Sequence, residues 1–277
     1  MKQFHAPLVL LLGCVLLSAE VKGLKCTATG NTNVTANGRP AYAGQFPHHA
    51  LLVAHFGEDE TRHCSGALVD ERHVVTVAQC VQGSSSVEVH LGSNCLLDEA
   101  DEQFRYVFNA TGYTVREGYD TETFVNDVAV VRFTDEAVRL PPWVRPVRLP
   151  ETEEDQYIGQ EVLSSGFGMM NYATEVAADA LQYVRLVVLD LEACQEEFNF
   201  VTPDSGRFCA QDADHERNCV SDVGSPLVRK EGKLQQYVLV GLTSFGQKFA
   251  CNFGNPGALQ ELREHTEWVK EVLALAK

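Results

Sequence analysis

The chain has 277 residues, 45% of them hydrophobic, and a formal net charge of −16. Such acidity argues against nucleic acid, heparin-like polymers and anionic membranes as partners. The length, less a leader, fits one large all-β domain with a full hydrophobic core.

Met1-Lys2 gives a basic start, Leu8 to Leu17 an apolar run, and Ser18-Ala19 the small residues of a cleavage site. This reads as a signal peptide over 1–19, cut between 19 and 23 and too short to span a bilayer. No later run of 18 apolar residues exists, so the expectation is a secreted, extracellular protein with no membrane partner. Residues 20–34 read as a short extension and 35–277 as the body. Asn33-Val34-Thr35 and Asn109-Ala110-Thr111 are N-glycosylation sequons, which makes Asn33 and Asn109 candidate sites. Val87-Glu88-Val89-His90-Leu91 alternates as a half-buried strand. Val128–Phe133, Val184–Leu189 and Tyr237–Leu242 read as buried strands bounded by Gly, Pro or polar turns. The segment from Leu140 to Glu154, opening Leu-Pro-Pro-Trp, is the nearest thing to an internal seam. Glu261 to Ala276 sets Leu262, Thr266, Val269, Val272 and Leu273 at helical spacing, which predicts a C-terminal helix.

Metal and cofactor chemistry has little footing. No C-x-x-C with an H-x-x-x-H partner exists, so zinc is not expected. Acidic clusters at Glu58-Asp59-Glu60, at Asp98 to Glu102 and at Glu151 to Asp155 show no calcium-liganding spacing. They read as solvated surface that keeps the protein soluble. No cofactor and no metal are expected. Of the nine cysteines, Cys14 leaves with the leader, and the remaining even number fits an oxidising destination.

The most informative stretch is Cys219-Val220-Ser221-Asp222-Val223-Gly224-Ser225-Pro226-Leu227. It resembles the active-site loop of the trypsin/chymotrypsin-like serine proteases, C-x-G-D-S-G-G-P-L. Cys219, Asp222, Gly224, Pro226 and Leu227 stand in register, but Val223 holds the nucleophile position. Val74-Val75-Thr76-Val77-Ala78-Gln79-Cys80 resembles the histidine motif T-A-A-H-C, with Gln79 at the base position. Asn126-Asp127-Val128-Ala129-Val130-Val131 matches N-D-I-A-L-L, so Asp127 is kept. Further pieces follow in order: Gly38 to Pro47 for G-x-x-A-x-x-G-Q-F-P, Cys64-Ser65-Gly66 for C-G-G, and Gly166-Phe167-Gly168 for G-W-G. Gly241 to Gly246 stands in for G-x-x-S-W-G and Pro256-Gly257-Ala258 for P-G-V. The resemblance covers about Thr35 to Lys277 and is specific through the order of its pieces.

That resemblance implies two six-stranded antiparallel β-barrels with a C-terminal helix, joined near 140–155. It implies an invertebrate, insect-like member, since the usual vertebrate extra disulfides are absent. The implied bridges are Cys64–Cys80, Cys194–Cys209 and Cys219–Cys251, which leaves Cys26 and Cys95 to pair with each other. The implied pocket residues are Arg217, Ser244, Phe245, Gly246 and Gly257. Arg217 reverses the charge that trypsin-like enzymes carry there; it blocks the pocket, recruits an acidic group, or turns to solvent. The usual activation junction is missing, because Val34 is not basic and Thr35 is not isoleucine. Asp222 then needs another cation, and Arg62 or His63 is placed to supply it unless both are solvated.

The chemistry implied is an absence. A glutamine amide takes no proton near neutral pH, and valine has no attacking oxygen. Loss of the nucleophile in a related triad costs about 10⁶-fold in turnover. The expectation is therefore a secreted pseudo-protease that binds proteins: a protease, an inhibitor or a component of an immune cascade, or a salivary or reproductive secretion. The alternatives are an endopeptidase with Ser221 or Ser225 as displaced nucleophile, and a secretory protein with no specific partner.

Overall fold

The structure is a computed structural model. It describes residues 38–58, 60–96, 104–151, 157–171, 176–177, 180–190, 192, 195, 206–213, 222–245 and 257–275.

A two-residue strand β1 (Arg39–Pro40) opens the described chain and joins the second of two barrels. The first barrel is built from β2 (His49–Phe56), β3 (Glu60–Leu68), β4 (His73–Thr76), β5 (Ser86–Leu91), β6 (Tyr106–Asn109), β7 (Gly112–Val115) and β8 (Ala129–Arg132). Its strand order is β6-β5-β2-β3-β4-β8-β7, all antiparallel. The two ends of that row are consecutive in sequence. The Ala110 N–H bonds Val87 O on the β5 side and the Thr111 N–H bonds Arg132 O on the β8 side, each at 2.8 Å. β6 and β7 thus act as one bent strand that closes the ring, which removes the exposed edges an open sheet would carry.

Past β8 the chain crosses to the second barrel. This holds β9 (Glu161–Gly166), β12 (Gln182–Leu189), β13 (Arg207–Asp212), β14 (Pro226–Glu231), β15 (Gln236–Phe245) and β16 (Gly257–Glu261). The order β12-β13-β16-β15-β14-β9 closes because β9 pairs with both β14 and β12. A small hairpin of β10 (Met169–Asn171) and β11 (Val176–Ala177) stands apart.

The period-two pattern explains the cores. Val87, Val89 and Leu91 of β5 are buried while Glu88 and His90 between them are only partly so. Val184, Leu186 and Val188 of β12 do the same for the second barrel, against Val162, Phe208 and Val240. Among the described residues two short helices are bounded: α1 (Ala78–Val81) after β4, and α2 (Thr266–Leu275) at the C-terminus. The C-terminal helix begins later than its sequence pattern predicts. Glu261 still belongs to β16, paired with Gly241, and a 3-10 turn at Arg263–His265 comes before α2. Sheet hydrogen bonds hold those first residues more firmly than helical periodicity does. Among the described residues no helix is long and apolar enough to cross a membrane.

Candidate functional site

Three polar side chains meet where the barrels face each other. α1 carries Gln79, and the disulfide from Cys80 to Cys64 ties that helix to β3. Asp127, just before β8, is fully buried. Its Oδ1 accepts the Gln79 backbone N–H at 2.9 Å, and its Oδ2 accepts the Gln79 side-chain amide at 2.5 Å. Ser244 of β15 donates its hydroxyl to the same Oδ2 at 2.6 Å. The Gln79 amide also donates to the Ser244 carbonyl at 2.8 Å. Because both partners are acceptors, the nitrogen end of the amide must face them. Both amide protons are then engaged. Burial pushes the Asp127 carboxyl above its ordinary pKa, against the pull of its hydrogen bonds from Ser244 and Gln79. Tyr119 nearby is pushed up to about 12, first by burial and then by the charge of Asp127.

The loop that carries Val223 is held from both barrels. The Val223 carbonyl accepts the Ser65 N–H at 2.9 Å. Cys80 Sγ lies 3.8 Å from that carbonyl, a contact without a donated proton because the sulfur is in a disulfide. Asp222 turns inward, where its Oδ2 accepts the Phe167 N–H at 2.6 Å and the Ser65 hydroxyl at 3.1 Å. Burial raises its pKa, opposed by those two hydrogen bonds and by the field of His63. Gly224 follows at φ +84, and a Cβ there would lie 2.1 Å from the Ser65 carbonyl oxygen. Only glycine lets the two backbones approach so closely.

A family model described as Trypsin matches residues 35–269. The chain belongs to the trypsin family. Collagenase of Hypoderma lineatum is 27% identical over 237 residues, covering 85% of each chain. Human kallikrein-7 is 30% identical over 268 residues, covering 96% of this chain and 97% of the relative. A solved structure of HL collagenase superposes with a TM-score of 0.72 at 25% identity, over 86% of this chain and 98% of that one.

In this trypsin-family frame, Gln79, Asp127 and Ser244 come together, and Val223 sits on the neighbouring loop. The cation expected beside Asp222 is not Arg62. That guanidinium lies 4.4 Å over the Phe56 ring, donates to the Gln79 carbonyl at 2.6 Å and pairs with Glu60 at 2.9 Å. His63 is exposed and acts on Asp222 only through its charge. A neutral hydroxyl and a backbone N–H satisfy the buried carboxylate instead. The sequence reading missed Ser65, though a serine in place of the second motif residue of C-G-G was the available signal. It also missed Arg207, a 5% exposed side chain that donates to the Thr123 carbonyl near Asp127.

The remaining candidates divide. Gly257 opens β16 opposite Ala210, and Phe245 closes β15. Asn109 is exposed at the end of β6, opposite Glu88. Cys95 and Cys209 are each in a disulfide whose other half lies outside the described residues. Arg217, Cys219, Ser221, Gly246, Cys194, Cys251, Cys26 and Asn33 also lie outside them. Among the described residues no group of three or more His, Cys, Asp or Glu could hold a metal ion.

Proposed function

We propose that this trypsin-family chain is a secreted protein that acts by binding another protein and performs no hydrolysis. The observation that carries the reading is the Gln79 amide, which spends both protons on Asp127 and the Ser244 carbonyl. General-base catalysis needs a group that takes a proton from the nucleophile and is oriented by the aspartate. An amide in that place is oriented but accepts no proton. Val223 offers no oxygen to activate. Ser225 does not replace it, being fully buried with no hydrogen-bond partner for its hydroxyl. The Cys64–Cys80 bridge and the oxidised Cys95 and Cys209 support an oxidising, extracellular destination. A protease, an inhibitor or another component of a proteolytic or immune cascade is the partner class that a family-shaped surface without chemistry would engage.

Two measurements test this reading. The purified chain should cleave no member of a broad peptide library, and it should retain a protein partner when used as bait in the secretion it comes from. Turnover that survives repurification and is lost on Ser221→Ala would contradict it.

A further inference from the structure

Two adjacent histidines, His48 and His49, sit where the barrels meet. His49 opens β2 of the first barrel, and His48 precedes it. Their exposures are 1% and 5%. Each ring nevertheless contacts the second barrel. His49 Nδ1 lies 3.1 Å from the Ser165 hydroxyl of β9, and its ring meets Phe167 edge-on at 5.8 Å. The His48 ring meets Tyr237 of β15 edge-on at 5.1 Å. Phe46, just upstream, packs on Tyr183 and Tyr237 at 5.4 and 6.0 Å. One short segment of the first barrel therefore plugs into three strands or loops of the second. Nε2 of both histidines is buried without a hydrogen-bond partner among the described residues.

From this geometry we propose that the His48–His49 pair is an acid-sensitive latch between the two barrels, closed while both rings are neutral and released when they take up protons. Among the described residues no carboxylate is placed to hold a charged imidazole. Tyr237, which burial pushes up to about 12, and, through Phe46, Tyr183 are the titratable groups on the facing strands. Lys230, whose ammonium stands 5.0 Å over the Tyr237 ring, repels a further positive charge. Asp222 accepts the Phe167 N–H, but no carboxylate bonds either imidazole among the described residues. Burial lowers both rings to about 3, and His48 is lowered further by His49. Once the seam opens, each ring returns to an ordinary value near 6.5. Below that value, each histidine that gains a proton on opening shifts the opening equilibrium about tenfold per pH unit. For the pair, two units of acidification to pH 4.5 amount to about 10⁴-fold. The degenerate site straddles the same seam, since Gln79 and Asp127 come from one barrel and Ser244 from the other.

The test compares the full chain with His48→Phe/His49→Gln, in which the amide keeps a group for Ser165. Hydrogen exchange at Ser164–Phe167 and Tyr237–Leu239, measured at pH 7.5 and 4.5, reports seam opening. The ratio of opening in the unaltered protein to that in the variant should rise by about 10⁴ on acidification. An unchanged ratio overturns the proposal. So does exchange at the seam that is never faster than exchange in the two barrel cores, because then only global unfolding opens it. Should the variant fail to fold, ring titrations in the unaltered protein decide. Both histidines should stay neutral at pH 5 while the seam is closed, and an ordinary titration near 6.5 with intact seam contacts overturns the latch. The test uses the chain alone, so its failure leaves the non-catalytic reading standing.

Discussion

Gln79 stands at the base position of the family motif and holds Asp127 through its amide. Asp127 remains buried and needs donors; the amide supplies them, as would any side chain with an N–H at that point. Truncation should expose this structural role. Gln79→Ala removes a donor from a buried carboxylate and from the Ser244 carbonyl, and should cost about 1–3 kcal/mol in urea unfolding. Val223 packs at the edge of the core, so Val223→Ala should cost less than Gln79→Ala. Equal losses would mean that Gln79 contributes packing alone. Gln79, Asp127 and Val223 were legible as candidates because each falls inside a motif of fixed spacing. The partners of Asp222 were not, because Ser65 and Phe167 lie 157 and 55 residues away along the chain. Charge balance suggested a cation there, whereas a hydroxyl and a backbone N–H suffice.

At the scale of elements, β5 followed from alternation, β12 and β15 from apolar runs bounded by turn residues, and the helix only in part. The runs at Val87, Val184 and Tyr237 fall within β5, β12 and β15; β5 and β12 bury alternate residues, whereas Val238 to Leu242 of β15 are buried without a break. The onset of the C-terminal helix was misread because Glu261 and Leu262 fit both a helical stripe and the end of a strand. Ring closure through Ala110 and Thr111 could not be read locally, since it depends on two ladders meeting at one joint. The loop bearing Val223 is the element most exposed to single changes. Gly224→Ala combines a left-handed backbone with a Cβ only 2.1 Å from Ser65 O and 2.6 Å from Thr76 Oγ1. The expected loss is about 3 kcal/mol or more, because a backbone carbonyl cannot swing aside as a flexible side chain would. A midpoint within experimental scatter of the parent in urea unfolding would show that the loop is looser than described.

Across the whole molecule, acid stability separates the groups by sign. His48 and His49, lowered to about 3, and His265, lowered to about 4, are all depressed chiefly by burial. Their stabilising effect is complete above about pH 6.5 and is lost as pH falls from there towards the lowered values, at about 1.4 kcal/mol per histidine per unit. Asp127 and Asp222, raised by burial, bind protons sooner in the folded state and do not drive acid unfolding. Asp70, where hydrogen bonds from His73 and the Arg72 backbone outweigh burial, loses its contribution only below the ordinary aspartate range. Through these three histidines the melting temperature should fall steeply between pH 6.5 and 5, before Asp70 loses its contribution. The adjacent histidines were not legible in sequence, since their ring contacts with Phe167 and Tyr237 come from the distant second barrel.

Covalent topology and the proposed absence of activity also belong to the whole chain. Peptide mapping without reduction should recover Cys26 linked to Cys95; a free thiol at either, or a second chain, would overturn that pairing. Gln79→His with Val223→Ser places three triad side chains beside one another, yet little activity is expected. Asp222 already has neutral partners, Thr35 offers no isoleucine terminus, and Ser221 stands where a glycine is expected to bind the oxyanion. Turnover within tenfold of a trypsin-like enzyme would show that only the two triad positions had been lost.

The central claim is that no serine in this chain is activated. Incubation of the purified protein with an organophosphate, followed by intact mass measurement, addresses it directly. The account predicts an unchanged mass at every time point. Stoichiometric addition of one phosphonyl group, mapped to Ser221 or Ser225 and abolished by its replacement with alanine, would contradict it.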